Sequence, residues 1–128
     1  LTFMVPDEPD FAAALKKAGF TGRLAAVTLG RAGSWYQNGD RTGQVPSPHV
    51  HVVETTGAGD AFTAALLDRL LDYDLDVWAL SDTELEQTVH RACAAGALTA
   101  TGYGAIPSLP DARSIDALLR MVGADASR

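Results

Sequence analysis

The sequence predicts an α/β layer fold, and three observations carry that prediction. Short apolar runs closed by glycine alternate with segments of helical period, and a glycine-rich loop stands between a strand pattern and a helix pattern. The third is composition: of 128 residues, 47% are hydrophobic and 20% charged, which excludes a disordered chain and leaves apolar surface for a core. Residues 1–128 are read as one domain, with 123–128 as a flexible tail.

Residues 11–18 carry apolar positions at helical spacing, and Gly19 stands where a carboxyl-terminal cap belongs. Residues 24–29 form an apolar run ending at Gly30, the pattern of a buried strand. Ser34-Trp35-Tyr36 precedes Asn38-Gly39, a hairpin turn signal, and Val45 is expected to begin the return strand. Pro46 and Pro48 confine the next stretch to an edge or a connection. His49-Val50-His51-Val52-Val53 alternates as a half-buried strand does. Residues 60–71 are apolar nearly all round, which predicts a helix inside the fold. Ser81 and Glu84 have capping-box spacing and open a helix expected to reach about Leu98. Residues 101–110 read as a loop, and Ile115, Leu118, Leu119 and Val122 mark a closing amphipathic helix.

A formal charge of −6 with no basic cluster argues against a nucleic-acid partner. The longest apolar-rich stretches, 61–67 and 92–98, are too short to cross a bilayer, so no membrane partner is expected. The single cysteine, Cys93, excludes an intrachain disulfide and a cysteine zinc cluster, and a cytoplasmic setting suits it. His49, His51 and His90 lack ligand spacing and read as strand-face or surface residues. The chain starts at Leu1 in mid-pattern, which reads as a piece of a longer polypeptide.

The chemistry lies in residues 54–62, Glu-Thr-Thr-Gly-Ala-Gly-Asp-Ala-Phe. Gly57 and Gly59 lack a Cβ and let consecutive amides converge at a helix start, where the dipole favours an anion. Asp60 follows as a carboxylate able to take a proton from an acceptor hydroxyl. The competing reading makes Asp60 a plain helix cap. Neither GxGxxG nor GxxxxGK[ST] matches this loop.

Residues 55–62 resemble the DTTGAGDAF signature of the ribokinase-like (PfkB) carbohydrate kinases. Residues 27–33 resemble the VTLGxxG strand and turn of that family, and residues 94–98 and 104–110 its adenine-side helix and closing loop. The resemblance implies the C-terminal part of a three-layer α/β/α fold, with the lid and the amino-terminal half absent. It also implies ATP-dependent phosphorylation of a sugar hydroxyl, Asp60 being the base and Gly57, Ala58 and Gly59 the anion hole. Thr28, Gly30, Gly33, Cys93 and Gly96 match nucleotide-side positions. A monovalent cation, usually K⁺, would be held by oxygens of Glu54, Thr56, Thr99, Gly102, Gly104 and Ser108. Glu54 departs from the aspartate of the family and displaces its carboxylate by about one bond.

The Asn-x-x-Glu motif linked to Mg²⁺ is not found, since Asp7 and Glu8 lack its spacing. The chain alone is therefore expected to hold a partial ATP site with little turnover, and to pair with another copy or with a missing amino-terminal half. Residues 104–110 are closest in character to fructokinases, with 2-keto-3-deoxygluconate kinase and ribokinase as alternatives. A non-catalytic nucleotide-binding remnant is the alternative from another class.

Overall fold

The computed structural model describes residues 10–102 and 109–126. Helix α1, Phe11–Lys17, starts at Asp10, whose carboxylate accepts from the amides of Ala12 at 2.9 Å and Ala13 at 3.4 Å. It buries Ala14 and Leu15 and stops at Gly19, φ +74°, as its sequence predicts. Phe11 at its start lies against Trp35 with ring centroids 5.5 Å apart.

Strands β1 (Leu24–Thr28), β2 (Ser34–Asn38) and β3 (Arg41–Val45) form an antiparallel sheet in the order β1-β2-β3. The Asn38-Gly39 signal does make the hairpin: Asn38 pairs with Arg41, and Gly39 takes φ +65°. Two expectations shift. Val45 is the last residue of the return strand, not its first, because the turn is so tight that pairing resumes at Arg41. Residues 24–27 are half-buried, not fully buried, because β1 has a described neighbour on one edge alone.

Residues 49–53 form no strand among the described residues. Their alternation survives in burial: Val50 and Val52 are half-buried while His49 and His51 are exposed. No described strand runs beside them, and the amides of Val53 and Glu54 both turn to the Ala100 carbonyl, at 2.8 and 3.1 Å. The glycine loop thus follows an irregular segment, not the carboxyl end of a paired strand.

Helix α2, Ala58–Leu71, begins ahead of Asp60 and buries Ala61, Phe62 and Leu70. It is not interior all round, because Leu67 and Leu71 remain 51% and 59% exposed. Its buried side meets α3, Asp82–Thr99, which carries the core residues Leu85, Val89, Ala92 and Cys93. The small residues of α3 allow a close approach: a Cβ on Gly96 would stand 3.0 Å from the Ala58 carbonyl oxygen. The expected capping box is complete, with Glu84 N donating to Ser81 Oγ at 3.1 Å and Ser81 N to Glu84 Oε1 at 3.2 Å.

Helix α4, Ala112–Ala126, extends through most of the stretch read as a tail. Asp111 accepts from the amide and hydroxyl of Ser114 at its start, and Ile115 buries against Ala61, Ala94 and Ala95. Arg91 donates to Asp116, tying α3 to α4. The sheet covers one side of the α2–α3 pair through Tyr36 and Val45, and α4 covers another.

Candidate active site

Thr55, Thr56 and Gly57 turn the chain into α2. Gly57 is the N-cap residue with φ +82°, a left-handed conformation that glycine adopts without strain. No side chain caps this helix. Ala58 N donates to Thr55 O at 3.1 Å and Ala61 N to Gly57 O at 2.9 Å. Among the described residues, the amides of Gly59 and Asp60 have no partner, so these first-turn donors face outward for an anion. The Asp60 carboxylate is exposed in this first turn and makes no capping bond. The plain-cap reading of Asp60 therefore fails on geometry.

A cleft of about 880 Å³ opens beside this helix start. The turn after β1 forms one wall through Thr28, Gly30 and Gly33, and α2 the opposite wall through Ala58, Gly59 and Phe62. Cys93, Gly96 and Ala97 of α3 line it between them. The fold thus gathers all five predicted nucleotide-side residues, Thr28, Gly30, Gly33, Cys93 and Gly96, with Ala58 and Gly59 of the predicted anion hole. Its volume lies within the roughly 300–1,000 Å³ usual for small-molecule sites. Gly33 could carry no side chain: a Cβ there would meet the Val45 carbonyl oxygen at 1.9 Å, and φ is +94°.

Cys93 is buried, and its thiol donates to Ser34 Oγ at 3.4 Å. Burial raises its pKa, and the Ser34 contact opposes this more weakly, so the group remains a thiol near neutral pH.

The predicted cation ligands divide. Thr56 donates its hydroxyl to the Glu54 carboxylate, so these two oxygens adjoin. The Glu54 amide bonds to the Ala100 carbonyl, which brings the end of α3 alongside. Thr99 is fully buried, its hydroxyl donated to Ala95 O at 2.9 Å and its carbonyl accepting from the Gly102 amide at 3.4 Å. Gly104 and Ser108 lie outside the described residues. No group of three or more His, Cys, Asp or Glu able to hold a metal occurs among the described residues.

Sequence reasoning missed Arg31, Ser34, Phe62 and the two exposed histidines His49 and His51 as cleft-lining residues. Arg31 sits between two glycines that were singled out, so its neighbours carried a signal that its own identity did not. His90 is half-buried on α3 with Nε2 unpartnered among the described residues.

Fold and cleft together define a class: an α/β protein whose uncapped helix start opens onto a ligand-sized cavity. Comparison with known proteins supplies the family. The model of the pfkB family of carbohydrate kinases matches residues 3–112, and the chain belongs to that family. It is similar to fructokinase-1 of Oryza sativa subsp. japonica, with 50% identity over 91 residues, or 70% of this chain and 27% of that protein. Among solved structures, a fructokinase with bound ATP from Xylella fastidiosa superposes with a TM-score of 0.78 at 24% identity, over 88% of this chain and 37% of that one. A double-mutant fructokinase from Vibrio cholerae O395, in its fructose-, ADP- and potassium-bound form, gives 0.71 at 31% identity, over 86% and 35%. The chain spans 27% to 37% of the length of these relatives. No helix among the described residues is long and apolar enough to cross a membrane.

Proposed function

We propose that this chain is the nucleotide- and phosphoryl-handling part of a sugar kinase of the fructokinase type. The observation that carries the proposal is Asp60: an exposed carboxylate in the first turn of an uncapped helix, beside amides without partners and next to the cleft.

The cleft has the volume for a nucleotide, and its α3 side is built of small residues that a flat ring system can approach. ATP, when bound, supplies the phosphoryl group, and Mg²⁺ offsets its charge. Thr28, Gly30 and Gly33 offer backbone and hydroxyl groups along one wall. Across from them the glycine turn of Gly57, Ala58 and Gly59 presents the helix start, where donors are held ready for charge that builds up during transfer. Asp60 takes the proton of the attacking sugar hydroxyl. Glu54 and Thr56, joined by a hydrogen bond, supply hard oxygens suited to K⁺ beside this turn. The open edge of β1 supports pairing with a further strand, from the longer protein or from a second copy.

The test is Asp60→Asn in the full protein, assayed with ATP and fructose. Sugar phosphorylation should fall by about 10²–10⁴-fold while ATP still binds. Loss of ATP binding together with activity would instead assign Asp60 a structural part. Replacing K⁺ by Na⁺ in the same assay tests the cation, with a lower rate expected.

A further inference from the structure

We propose that Arg31 binds the anionic phosphate tail of the nucleotide in the cleft, an assignment that rests on the kinase reading above. Arg31 occupies the middle of the 3₁₀ turn Gly30–Ala32 between β1 and β2. That turn is tightly tied: Leu29 N donates to Gly33 O at 2.8 Å, Ala32 N to Leu29 O at 3.1 Å and Gly33 N to Gly30 O at 3.1 Å. Gly33 anchors it against the Val45 carbonyl at a distance no other residue allows. The backbone that carries Arg31 is therefore fixed on the cleft wall, and the exposed Arg31 is among the residues that line the cavity.

The electrostatic setting is selective. The chain carries a formal charge of −6, yet this cleft wall presents a guanidinium. Four other arginines are engaged, Arg41 with Asp82 at 2.7 Å, Arg69 with Asp72 at 3.3 Å, Arg91 with Asp116, and Arg23 stacked 3.1 Å over the Trp78 ring, while Arg113 and Arg120 sit on α4 and do not line the cleft. Arg31 holds no carboxylate among the described residues. It is the one Lys or Arg among the described cleft-lining residues, and the opposite wall is the α2 start with its unpartnered Gly59 amide. A ligand spanning the cleft thus meets positive potential on both sides, and the planar guanidinium fork matches two oxygens of a phosphate. A neutral nucleoside would gain nothing from that charge. A polyphosphate would.

The experiment compares ATP with adenosine on the full protein by titration calorimetry. Arg31→Ala should weaken ATP binding about tenfold, the scale of one charge-assisted hydrogen bond, and leave adenosine binding unchanged. Arg31→Lys, which keeps the charge and loses the fork, should fall between the two. Because Arg31 is exposed, thermal melting of the variants should match the parent. Undiminished ATP binding by Arg31→Ala, or an equal loss for adenosine, overturns the assignment alone. Parent protein that takes up neither ATP nor adenosine overturns the kinase reading and this assignment with it.

Discussion

Helices α2 and α3 pack against each other, yet their amino termini are built in opposite ways. The α3 start is closed: Ser81 and Glu84 satisfy each other's backbone amides, and Glu84 is further held by the Tyr73 hydroxyl. The α2 start is open: a left-handed Gly57 stands at the cap position and no side chain reaches the first-turn amides. Stability accounts for the first arrangement. The second forgoes a cap worth about 1 kcal/mol and leaves the Gly59 and Asp60 amides without a partner among the described residues. A helix start left uncapped beside a cleft, next to one fully capped in the same packing unit, is what the proposed phosphoryl-handling role calls for.

That contrast can be broken at either end. The largest effect is expected from Asp60→Asn, a fall of about 10²–10⁴-fold in sugar phosphorylation with an unchanged melting curve, read by coupled assay and calorimetry. Gly57→Ala should follow. Forcing a Cβ into φ +82° costs about 1–2 kcal/mol, seen in urea denaturation, and should cut ATP affinity as the turn distorts. Ser81→Ala should cost a similar or smaller amount, about 1 kcal/mol, and leave ATP affinity untouched. An equal loss of affinity in the Ser81 and Gly57 variants would erase the distinction between the two helix starts.

The smallest effect is on pH dependence. The Tyr73 hydroxyl, with lesser help from Ser81, lowers the pKa of Glu84, the Ser114 hydroxyl and amide lower that of Asp111, and the Arg91 hydrogen bond lowers that of Asp116. A carboxyl group whose pKa is lower folded than unfolded adds stability above its unfolded value and loses it as pH falls through the folded one. The melting temperature should therefore hold steady from neutral pH to about 5 and decline below about 4. In Asp116→Asn the decline should be shallower.

The features visible in the sequence are those set by neighbours along the chain. The capping box at Ser81, the Gly19 stop, the Asn38-Gly39 hairpin and the glycine turn at Gly57 each depend on a few adjacent residues, and each stands where it was expected. What sequence could not supply depends on distant partners. Residues 49–53 have a strand's alternation, but a strand needs a neighbour, and none lies beside them among the described residues. The apolar girth of α2 predicts burial, yet Leu67 and Leu71 face outward because α3 and α4 cover other sides. For the site, the motif marked one wall of the cleft and part of the other, while Arg31 became visible as a cleft residue once the turn was folded against Val45.

The close approach of Gly96 to the Ala58 carbonyl, with little room for a Cβ between them, has a mechanical consequence. That oxygen belongs to the first residue of α2, so α3 acts as a backstop that sets how far the loop at 55–59 can recoil. The gauge of the cleft at that point is one missing methyl group. Gly96→Ala would place a carbon at 3.0 Å and push the backstop forward by a few tenths of an ångström, without touching a ligand-facing donor. Position 96 is thus a calibration screw for the aperture, set in the cleft wall itself.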